Sequence, residues 1–392
     1  MSTAYLIAAK RTAGCKANKG KFQNVRPDRL AAEVIQDVLA GLSFDPALIE
    51  DVILGCAFPE GEQGMNVGRI AAMKAGLPQS VPGMTINRFC SSGLQSIALA
   101  AGQIAAGSAD AILAGGVESM SMVPMGGNKY SADPDLVKNW PESYAGMGIT
   151  AELVAEQWKI GREAMDQFAV QSHQRAAAAI AAGKFKEEIT PITVESALLQ
   201  GKKIVKSSEV VDIDDGVRPD SSVEALAKLK PVFKAGGSVT AGNSSQTTDG
   251  AAVALVVSEA FMKTHNLTPI ARFVSFAVTG CAPEIMGIGP IYAVPKALQR
   301  AGLKQSDIEL FELNEAFAAQ SLAVLQELKL DPSIVNVNGG AIALGHPLGC
   351  SGAKLTATLL AEMRRRKNKY GVVTMCIGGG MGAAGVFENL VL

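Results

Sequence analysis

The sequence predicts an α/β protein built from two related halves, with a long segment inserted into the first half. Two observations lead to this fold class. Helical patterns alternate with short apolar, strand-like runs along most of the 392 residues, which is typical of parallel sheets covered by helices. In addition, a helix ending in Ala-Gly-Leu and followed by an apolar strand occurs twice, at residues 40–42 and 301–303. Chance similarity between unrelated α/β segments is the alternative explanation of this repeat.

Size and composition narrow the classes of protein to consider. The chain is too long for one ordinary core, and 48% hydrophobic with 19% charged residues indicates a compact globular protein. A net charge of −1 gives no indication of nucleic-acid binding or of binding to an anionic membrane. No apolar run is long enough to span a bilayer, so we expect no membrane association.

Cysteine usage and the start of the chain bear on the compartment. The six cysteines are scattered without a CxxC pair, which argues against a zinc site and against a disulfide framework. The first residues lack the basic and apolar pattern of a signal peptide. We therefore expect free thiols, no bound metal and a cytoplasmic location.

The elements of the two halves follow one another in a similar order. The first half is predicted to comprise residues 1–118 and 240–268, and the second half residues 269–392. The predicted elements of the first half are a helix ending at Gly41, a strand over 49–55, a strand and turn from Gly83, a helix over 94–106, and strands over 111–116 and 251–258. Those of the second half are a helix ending at Gly302, a strand over 308–313, a strand from Val335, a helix reaching Arg366 and a strand over 371–377.

The inserted segment, residues 119–239, differs in composition from both halves. It opens with Met- and Gly-rich sequence, continues with an amphipathic helix over 162–183, and then becomes rich in turns and acidic residues. Insertions of this kind on a layered scaffold usually supply a lid or binding loops.

Cys90 is the strongest candidate for a catalytic residue. It lies between a predicted strand and the small-residue helix, in the sequence Asn-Arg-Phe-Cys-Ser-Ser-Gly at 87–93. Unpaired N–H groups and the positive end of the helix dipole favour a thiolate at such a position. The alternative is a small buried cysteine that packs as a hydrophobic residue.

Among the three histidines, only His346 stands in a sequence that suggests chemistry. It is flanked by glycines, and Pro347 restricts its backbone to extended geometry just before a helix. A histidine in this turn could serve as the base for a thiol that the fold brings near, although a helix-capping turn is the alternative. We expect His173, in the amphipathic helix, and His265, in a turn, to be surface residues.

Two further strand ends carry reactive or polar groups. Cys376 ends a buried strand and is followed by Gly378 and more glycines, whose N–H groups could form an oxyanion hole or merely a packing turn. Asn314 and Glu315 follow another strand, at the edge where α/β proteins bind ligands. Their alternative roles are a helix N-cap and a first-turn acid. If the halves pack about a pseudo-twofold axis, Cys90, Cys376, a histidine and an asparagine would meet.

These motifs resemble the signatures of the thiolase family. The matching segments are residues 87–93, 314–317, 339–352 and 376–382, in the family's order and spacing over essentially the whole chain. The resemblance implies two βαβαβαββ halves stacked as a five-layer α-β-α-β-α core, with the inserted loop domain binding coenzyme A. That architecture agrees with the duplication and the insertion described above.

The resemblance also implies roles for individual residues. Cys90 would be the acylated nucleophile, His346 its base, and Cys376 the acid/base toward the substrate carbon. Asn314 with His346 would form one oxyanion hole through a water, and the N–H groups of Cys90 and Gly378 the other. A covalent thioester on Cys90 implies ping-pong kinetics. No cofactor is expected, since coenzyme A is itself a substrate.

Contacts to the acyl-CoA are implied for four other residues. Ser245 matches the pantetheine contact, Arg218 an arginine near the adenine and phosphates, and Met147 a residue of the acyl pocket, while Phe317 belongs to the 314–317 motif beside the substrate. Turn chemistry and surface charge are the alternative explanations of these positions. The partners implied are CoA and acyl-CoA thioesters, a homodimer or homotetramer, and a β-oxidation partner subunit.

Differences between this sequence and the acetoacetyl-CoA thiolases of the family suggest its substrate range. Acetoacetyl-CoA thiolases typically carry His immediately before the residue matching Met147, whereas this chain has Gly146. Residues 245–250 and 283–290 also look more like degradative 3-ketoacyl-CoA thiolases. We therefore expect 3-ketoacyl-CoA cleavage, with acetoacetyl-CoA condensation as the alternative. Two rival interpretations are a non-catalytic acyl-CoA carrier and a ketoacyl-ACP synthase. A ketoacyl-ACP synthase would lack a second catalytic thiol such as Cys376.

Overall fold

The computed structural model describes residues 3–200 and 203–391. Residues 1 and 392, the outer bounds predicted for the two halves, and residues 201–202 of the predicted insertion lie outside the described residues. The prediction of an α/β fold is confirmed. None of the helices in the described part of the chain is long and apolar enough to cross a bilayer.

Strands and helices alternate along the chain. The strands are β1 Ala4–Arg11, β2 Cys15–Lys16, β3 Asp51–Gly55, β4 Met84–Ile86, β5 Ala111–Ser119, β6 Ile192–Gln200, β7 Lys203–Val211, β8 Thr248–Ser258, β9 Ala271–Gly280, β10 Leu310–Leu313, β11 Tyr370–Ile377 and β12 Met381–Asn389. The α-helices are α1 Pro27–Leu39, α2 Val67–Lys74, α3 Ser92–Ala105, α4 Pro134–Asn139, α5 Met147–Gln157, α6 Arg162–Ala181, α7 Val223–Ala227, α8 Glu259–Thr264, α9 Gly289–Ala301, α10 Ala318–Leu328, α11 Ala341–Leu344 and α12 Ser351–Arg366.

One mixed sheet runs through both halves. Its strand order is β10-β11-β12-β9-β1-β8-β5-β3-β4, and β2 pairs with β8. Within the sheet, the described strands of the two halves pair at β1 and β9, through Tyr5–Arg272 and Leu6–Ala271. The sheet is not fully parallel as predicted: β3 is parallel to β4 and β5, and β10 to β11, whereas β8 and β12 run antiparallel to their neighbours. The β11–β12 pair is antiparallel because the glycines between them form a hairpin turn.

Five layers of helices and strands give the core its arrangement. Helices α1 and α2 cover one face of the first-half strands, and α9 and α10 cover one face of the second-half strands. Helices α3 and α12 pack against strands of both halves and lie between them. The N-terminal ends of α3 and α12 therefore meet in the middle of the molecule.

Glycines allow the two central helices to approach each other closely. A Cβ added to Gly93 would lie 2.7 Å from the backbone nitrogen of Ala353, and one added to Gly352 would overlap the backbone nitrogen of Leu94. These contacts are reciprocal, because Gly93 is the second residue of α3 and Gly352 the second of α12. The repeat seen in the sequence thus corresponds to a structural pairing of equivalent positions.

Two details of the fold differ from the sequence prediction. The strand expected from Val335 is reduced to a single bridge between Val335 and Phe311. The inserted segment contains an antiparallel hairpin, β6–β7, which its turn-rich sequence did not indicate. The amphipathic helix is present as α6, and the helix ending before Gly302 is confirmed, with Gly302 in the left-handed conformation at φ 68°.

A buried ion cluster fastens the insertion to β1. The guanidinium of Arg11, fully buried, donates to Oε1 of Glu188 at 2.7 Å and to both carboxylate oxygens of Asp214 at 2.8 and 3.0 Å. Glu188 also accepts from Oγ1 of Thr358 on α12 at 2.7 Å. The cluster therefore links β1, the insertion and the central helix layer.

Replacing Arg11 with Met is expected to lower the free energy of unfolding by about 3–5 kcal/mol, because two carboxylates then stay buried without their cation. Urea denaturation followed by circular dichroism measures the change. The matched control is Lys21→Met, which breaks the exposed pair with Glu209 and should leave the midpoint nearly unchanged. An Arg11→Met midpoint equal to that of the unsubstituted protein would contradict the prediction.

Candidate active site

Cys90 lies in a strained turn at the start of α3. The residues Phe89–Ser91 form a single 3-10 turn that leads into the helix, so the thiol precedes the first helical turn. Phe89 has φ 42°, a conformation that residues with a side chain rarely adopt. Oδ1 of Asn87 accepts from the Phe89 N–H at 2.8 Å, and Oγ of Ser92 donates to the Phe89 carbonyl at 2.7 Å. These side chains hold the turn that presents Cys90.

Burial dominates the protonation of this thiol. Cys90 is only 3% exposed, and burial raises its pKa to about 12, while the N–H groups of Gly378 and of Cys90 itself act in the opposite direction. The thiolate preference expected from the helix end is therefore outweighed in the free protein. A proton must leave Cys90 as it reacts, so a base has to lie nearby.

The backbone of His346 is held from two sides. Its N–H donates to the Gln246 carbonyl at 3.0 Å, just before β8, and to Oγ1 of Thr248, the first residue of β8, at 3.1 Å. Gly345 just before it has φ 82°, which only glycine adopts at little cost. The buried ammonium of Lys354 donates to the carbonyls of Leu344 and Gly345 at 2.8 and 3.1 Å. The turn of residues 344–346 is thus fixed between β8 and α12.

The His346 ring is buried and uncharged. Burial, followed by the charge of Lys354, lowers its pKa to about 3. Nδ1 contacts Oγ of Ser351, and Nε2 lies 3.3 Å from Nδ2 of Asn314. Oδ1 of Asn314 is buried and has no partner among the described residues. Asn314 therefore offers a free acceptor beside the imidazole.

Cys376 ends β11 opposite the hairpin glycines. It pairs with Gly382 across the β11–β12 ladder and is 1% exposed. Burial raises the pKa of its thiol well above the ordinary value, and the nearby Cys90 and Cys281 act in the same direction. Two neutral thiols and a neutral imidazole therefore line the same cavity in the free protein.

These groups line one partly open cavity of about 370 Å³. Its lining is mainly apolar and comprises Cys90, Met120, Met125, Gly146, Met147, Gly148, Ile149, Phe233, Ser244, Ser245, Gln246, Thr247, Met286, Ala316, Phe317, His346, Leu348 and Cys376. The rings of Phe233 and Phe317 meet edge to face, with centroids 6.0 Å apart. An apolar chain bearing a thioester could enter such a cavity and reach both thiols.

Most of the site residues predicted from the sequence meet here. Ser245, Met147 and Phe317 line the cavity with the two cysteines and His346. Gly378 and Asn314 lie directly behind, next to Cys90 and His346 respectively. Arg218 is the exception: it lies outside the lining, and its N–H donates to Nδ1 of His173 at 3.1 Å.

Several alternatives left open by the sequence are now decided. His173 is 3% exposed, so the prediction of a surface residue is wrong, because its ring packs beneath the Arg218 backbone. Asn314 is not a helix cap, since α10 starts at Ala318 with Phe317 as N-cap. Glu315 is bound by Ser172, Asn336 and the Ile342 N–H. Within the described ranges, no group of three or more His, Cys, Asp or Glu side chains could hold a metal.

Three residues around His346 escaped the sequence reasoning. Ser351 contacts its ring, Lys354 holds the preceding carbonyls, and Thr248 accepts from its N–H. The available signal was a lysine among the small and apolar residues at the start of α12. Lys354 is 5% exposed, and its cation needs buried acceptors.

Comparison with known proteins gives consistent similarities. Residues 4–260 match the family model "Thiolase, N-terminal domain" and residues 267–389 match "Thiolase, C-terminal domain". The chain is 51% identical over 389 residues to a 3-ketoacyl-CoA thiolase of Bacillus subtilis (strain 168), covering 99% of this chain and 100% of that protein. It is 47% identical to the human peroxisomal 3-ketoacyl-CoA thiolase over 386 residues, covering 98% and 90% of the two chains.

Proteins named for a different activity are also similar. An acetyl-CoA acetyltransferase of Shinella zoogloeoides is 45% identical over 401 residues, covering 100% of each chain. The crystal structure of the Bacillus anthracis acetyl-CoA acetyltransferase has a TM-score of 0.89 and 40% identity, covering 100% of this chain and 99% of that chain.

Proposed function

Since the chain belongs to the thiolase family, we propose that it cleaves 3-ketoacyl-CoA with CoA, giving acetyl-CoA and an acyl-CoA shortened by two carbons. The observation that carries this proposal is the shared cavity, in which Cys90, His346 and Cys376 converge although they are far apart in sequence. The same groups would catalyse the reverse Claisen condensation. A non-catalytic carrier would have no need for two thiols and an imidazole at the floor of its binding cavity.

The first half-reaction forms a thioester on Cys90. As Sγ attacks the 3-keto carbon, Nε2 of His346 takes the thiol proton, and the C2–C3 bond then breaks. The electron pair of that bond passes to the acetyl-CoA portion as an enolate, which takes a proton at C2 from the Cys376 thiol. The N–H groups of Cys90 and Gly378 are suited to the oxyanion on the acylated carbon, and a water positioned by Asn314, together with His346, to the enolate oxygen.

The second half-reaction transfers the shortened acyl group to CoA. The CoA thiol gives its proton to Cys376 and attacks the thioester, and Cys90 leaves while recovering its proton from His346. Both thiols thus return to their starting state, which makes the mechanism ping-pong. Ser245, Met147 and Phe317 are proposed to hold the pantetheine and acyl parts, and Arg218, outside the cavity, the adenine and phosphates.

We also propose a broad acyl-chain range in place of a dedicated acetoacetyl-CoA activity. Gly146 lines the cavity, and a Cβ at that position would have no heavy atom within 4 Å, so space remains where short-chain relatives carry His. Steady-state kinetics with 3-ketoacyl-CoA substrates from four to ten carbons tests the proposal. A preference of about tenfold or more for acetoacetyl-CoA over the eight- and ten-carbon substrates would favour the acetyltransferase activity after which other relatives are named.

Introducing a histidine at position 146 tests directly whether the cavity volume beside Gly146 accommodates the acyl chain. Gly146→His is expected to lower kcat/KM for a ten-carbon substrate roughly tenfold relative to acetoacetyl-CoA, because the imidazole occupies acyl-chain volume. The control is Gly161→His at the exposed start of α6, which lies outside the cavity and also has open space. Equal chain-length profiles for Gly146→His and the unsubstituted enzyme would argue against this role of Gly146.

The lowered pKa of the buried His346 predicts an unusual pH dependence of Cys90 acylation. Because the lowered pKa keeps His346 uncharged down to about pH 5, the rate of Cys90 acylation should stay constant between about pH 6.5 and about pH 5. An ordinary histidine would gain its proton in that interval and lose its ability to act as a base. Rapid-quench measurement of acetyl-Cys90 formation reports the profile, and a decline centred near pH 6.5 would contradict it.

The remaining expectations stay predictions. They are the absence of a resident cofactor, assembly as a homodimer or homotetramer, a β-oxidation partner subunit and a cytoplasmic location. Analytical ultracentrifugation of the purified protein measures the assembly state directly.

A further inference from the structure

A hydroxyl group on α12 contacts one of the two ring nitrogens of His346. Oγ of Ser351 contacts Nδ1 of the ring and lies 3.0 Å from the Pro347 carbonyl, to which it donates. Ser351 is 2% exposed and sits at the first position of α12. The His346 ring, the Ser351 hydroxyl and the Pro347 carbonyl therefore form a row of contacts that is buried away from solvent.

The hydrogen bond from Ser351 to the Pro347 carbonyl favours one position for the proton of the ring. A serine hydroxyl has one hydrogen, and the carbonyl of Pro347 can only accept it. With that hydrogen donated to Pro347, the oxygen of Ser351 is the acceptor in its contact with the ring, and the N–H of the ring lies on Nδ1. A neutral imidazole carries a single N–H, so Nε2 is left with a free lone pair.

The opposite side of the ring agrees with this assignment. In the orientation of the Asn314 amide found here, Nε2 lies 3.3 Å from Nδ2, which can only donate. The burial of His346, together with the cation of Lys354, keeps the ring in its neutral form, in which the distinction between the two nitrogens exists. Both neighbours of the ring thus favour the same tautomer.

We propose that Ser351 is a positioning residue that holds His346 in the tautomer protonated at Nδ1, so that Nε2 is ready to take the proton of Cys90. Without the hydroxyl, the ring would lose its acceptor at Nδ1, and the proton could move to Nε2, where it blocks proton transfer from the thiol. Ser351 itself does not line the cavity and would act only through His346. The catalytic consequence rests on the proposed function, whereas the tautomer does not.

Kinetics of the first half-reaction test the catalytic consequence. With acetyl-CoA as the probe, Ser351→Ala is expected to lower the rate constant for acetyl-Cys90 formation at least tenfold, part of the roughly 10²–10⁴-fold that a general base contributes. The dissociation constant for acetyl-CoA should stay unchanged. Ser351→Thr retains the hydroxyl and should restore most of the rate. Thr356→Val is the matched control, because it removes a buried hydroxyl of the same helix whose partner among the described residues is the Gly352 carbonyl.

Nitrogen NMR of the histidine rings tests the tautomer without requiring turnover. The chain has three histidines, so the His346 signals of ¹⁵N-histidine-labelled protein can be assigned with His173→Gln and His265→Gln variants. We expect an unprotonated Nε2 in the unsubstituted protein and in Ser351→Thr, and a shift toward protonated Nε2 in Ser351→Ala. A proton found on Nε2 of the unsubstituted protein, or an unchanged acylation rate in folded Ser351→Ala, would overturn the proposal. Failure of the unsubstituted protein to acylate would instead refute the proposed function and leave the NMR result to stand by itself.

Discussion

Replacing Cys90 with Ala is expected to abolish the acetyl adduct that a brief exposure to acetyl-CoA leaves on the protein. Cys90 is the thiol that combines a strained turn, a neighbouring imidazole and N–H groups from Gly378 and itself. Intact-protein mass spectrometry should show one acetyl group on the unsubstituted chain, and peptide mapping should place it on Cys90. Thiolysis of 3-ketoacyl-CoA should disappear together with the adduct.

The control for this experiment is another buried cysteine. Cys15 lies in the first-half core, outside the cavity, so Cys15→Ala should keep both the adduct and the activity. An acetyl group that persists in Cys90→Ala, or that maps to Cys376, would contradict the assignment of the nucleophile.

Replacing Cys376 with Ala should separate the two kinds of chemistry. In acylation by acetyl-CoA, Cys376 only transfers the proton of the CoA thiol, which can exchange with solvent instead. Exchange of the acetyl group between acetyl-CoA and labelled CoA should therefore be slowed but should retain measurable activity. Cleavage of the carbon–carbon bond needs a proton delivered to C2, and its rate should fall at least about 10²-fold. Rapid-quench assays of both reactions on the same preparation give the comparison.

Two outcomes would contradict this division of roles. Retention of carbon–carbon cleavage in Cys376→Ala would show that another group protonates C2, as expected for a ketoacyl-ACP synthase type of site. Loss of the acetyl adduct itself, in a variant that remains folded, would assign Cys376 to the acylation step. The adduct on Cys90 and the exchange rate should therefore be measured in parallel.

The sequence predicted the elements whose patterns are local. The helix before Gly302, the amphipathic helix α6 and the strand before Cys376 depend on periodicity and on glycines at helix ends, both of which can be read from neighbouring residues. The direction of β8 depends on the path of the chain through the insertion, and the short bridge at Val335 on the space beside β10. Neither the direction of β8 nor the length of the pairing at Val335 can be predicted from a short stretch of neighbouring residues.

The candidate site shows a similar division. Cys90, His346 and Cys376 could be identified because each lies in a distinctive glycine-containing segment at the end of an element. The protonation of Cys90 could not be inferred, because it depends on how completely the fold removes water from the thiol. Burial of His173 escaped notice for the same reason, since the chain that covers it comes from the region of Arg218, 45 residues away in sequence.

The glycine pair at the crossing of α3 and α12 has a consequence for how this protein can change. Gly93 lies three residues after Cys90, and Gly352 six residues after His346, so the crossing sets the separation of nucleophile and base. A side chain added to one glycine cannot be accommodated by a smaller residue at the other, because neither has any atom left to remove. The two halves of the chain can therefore differ widely elsewhere. At this crossing, however, a larger residue in one half would displace the helix of the other half and the reactive group next to it.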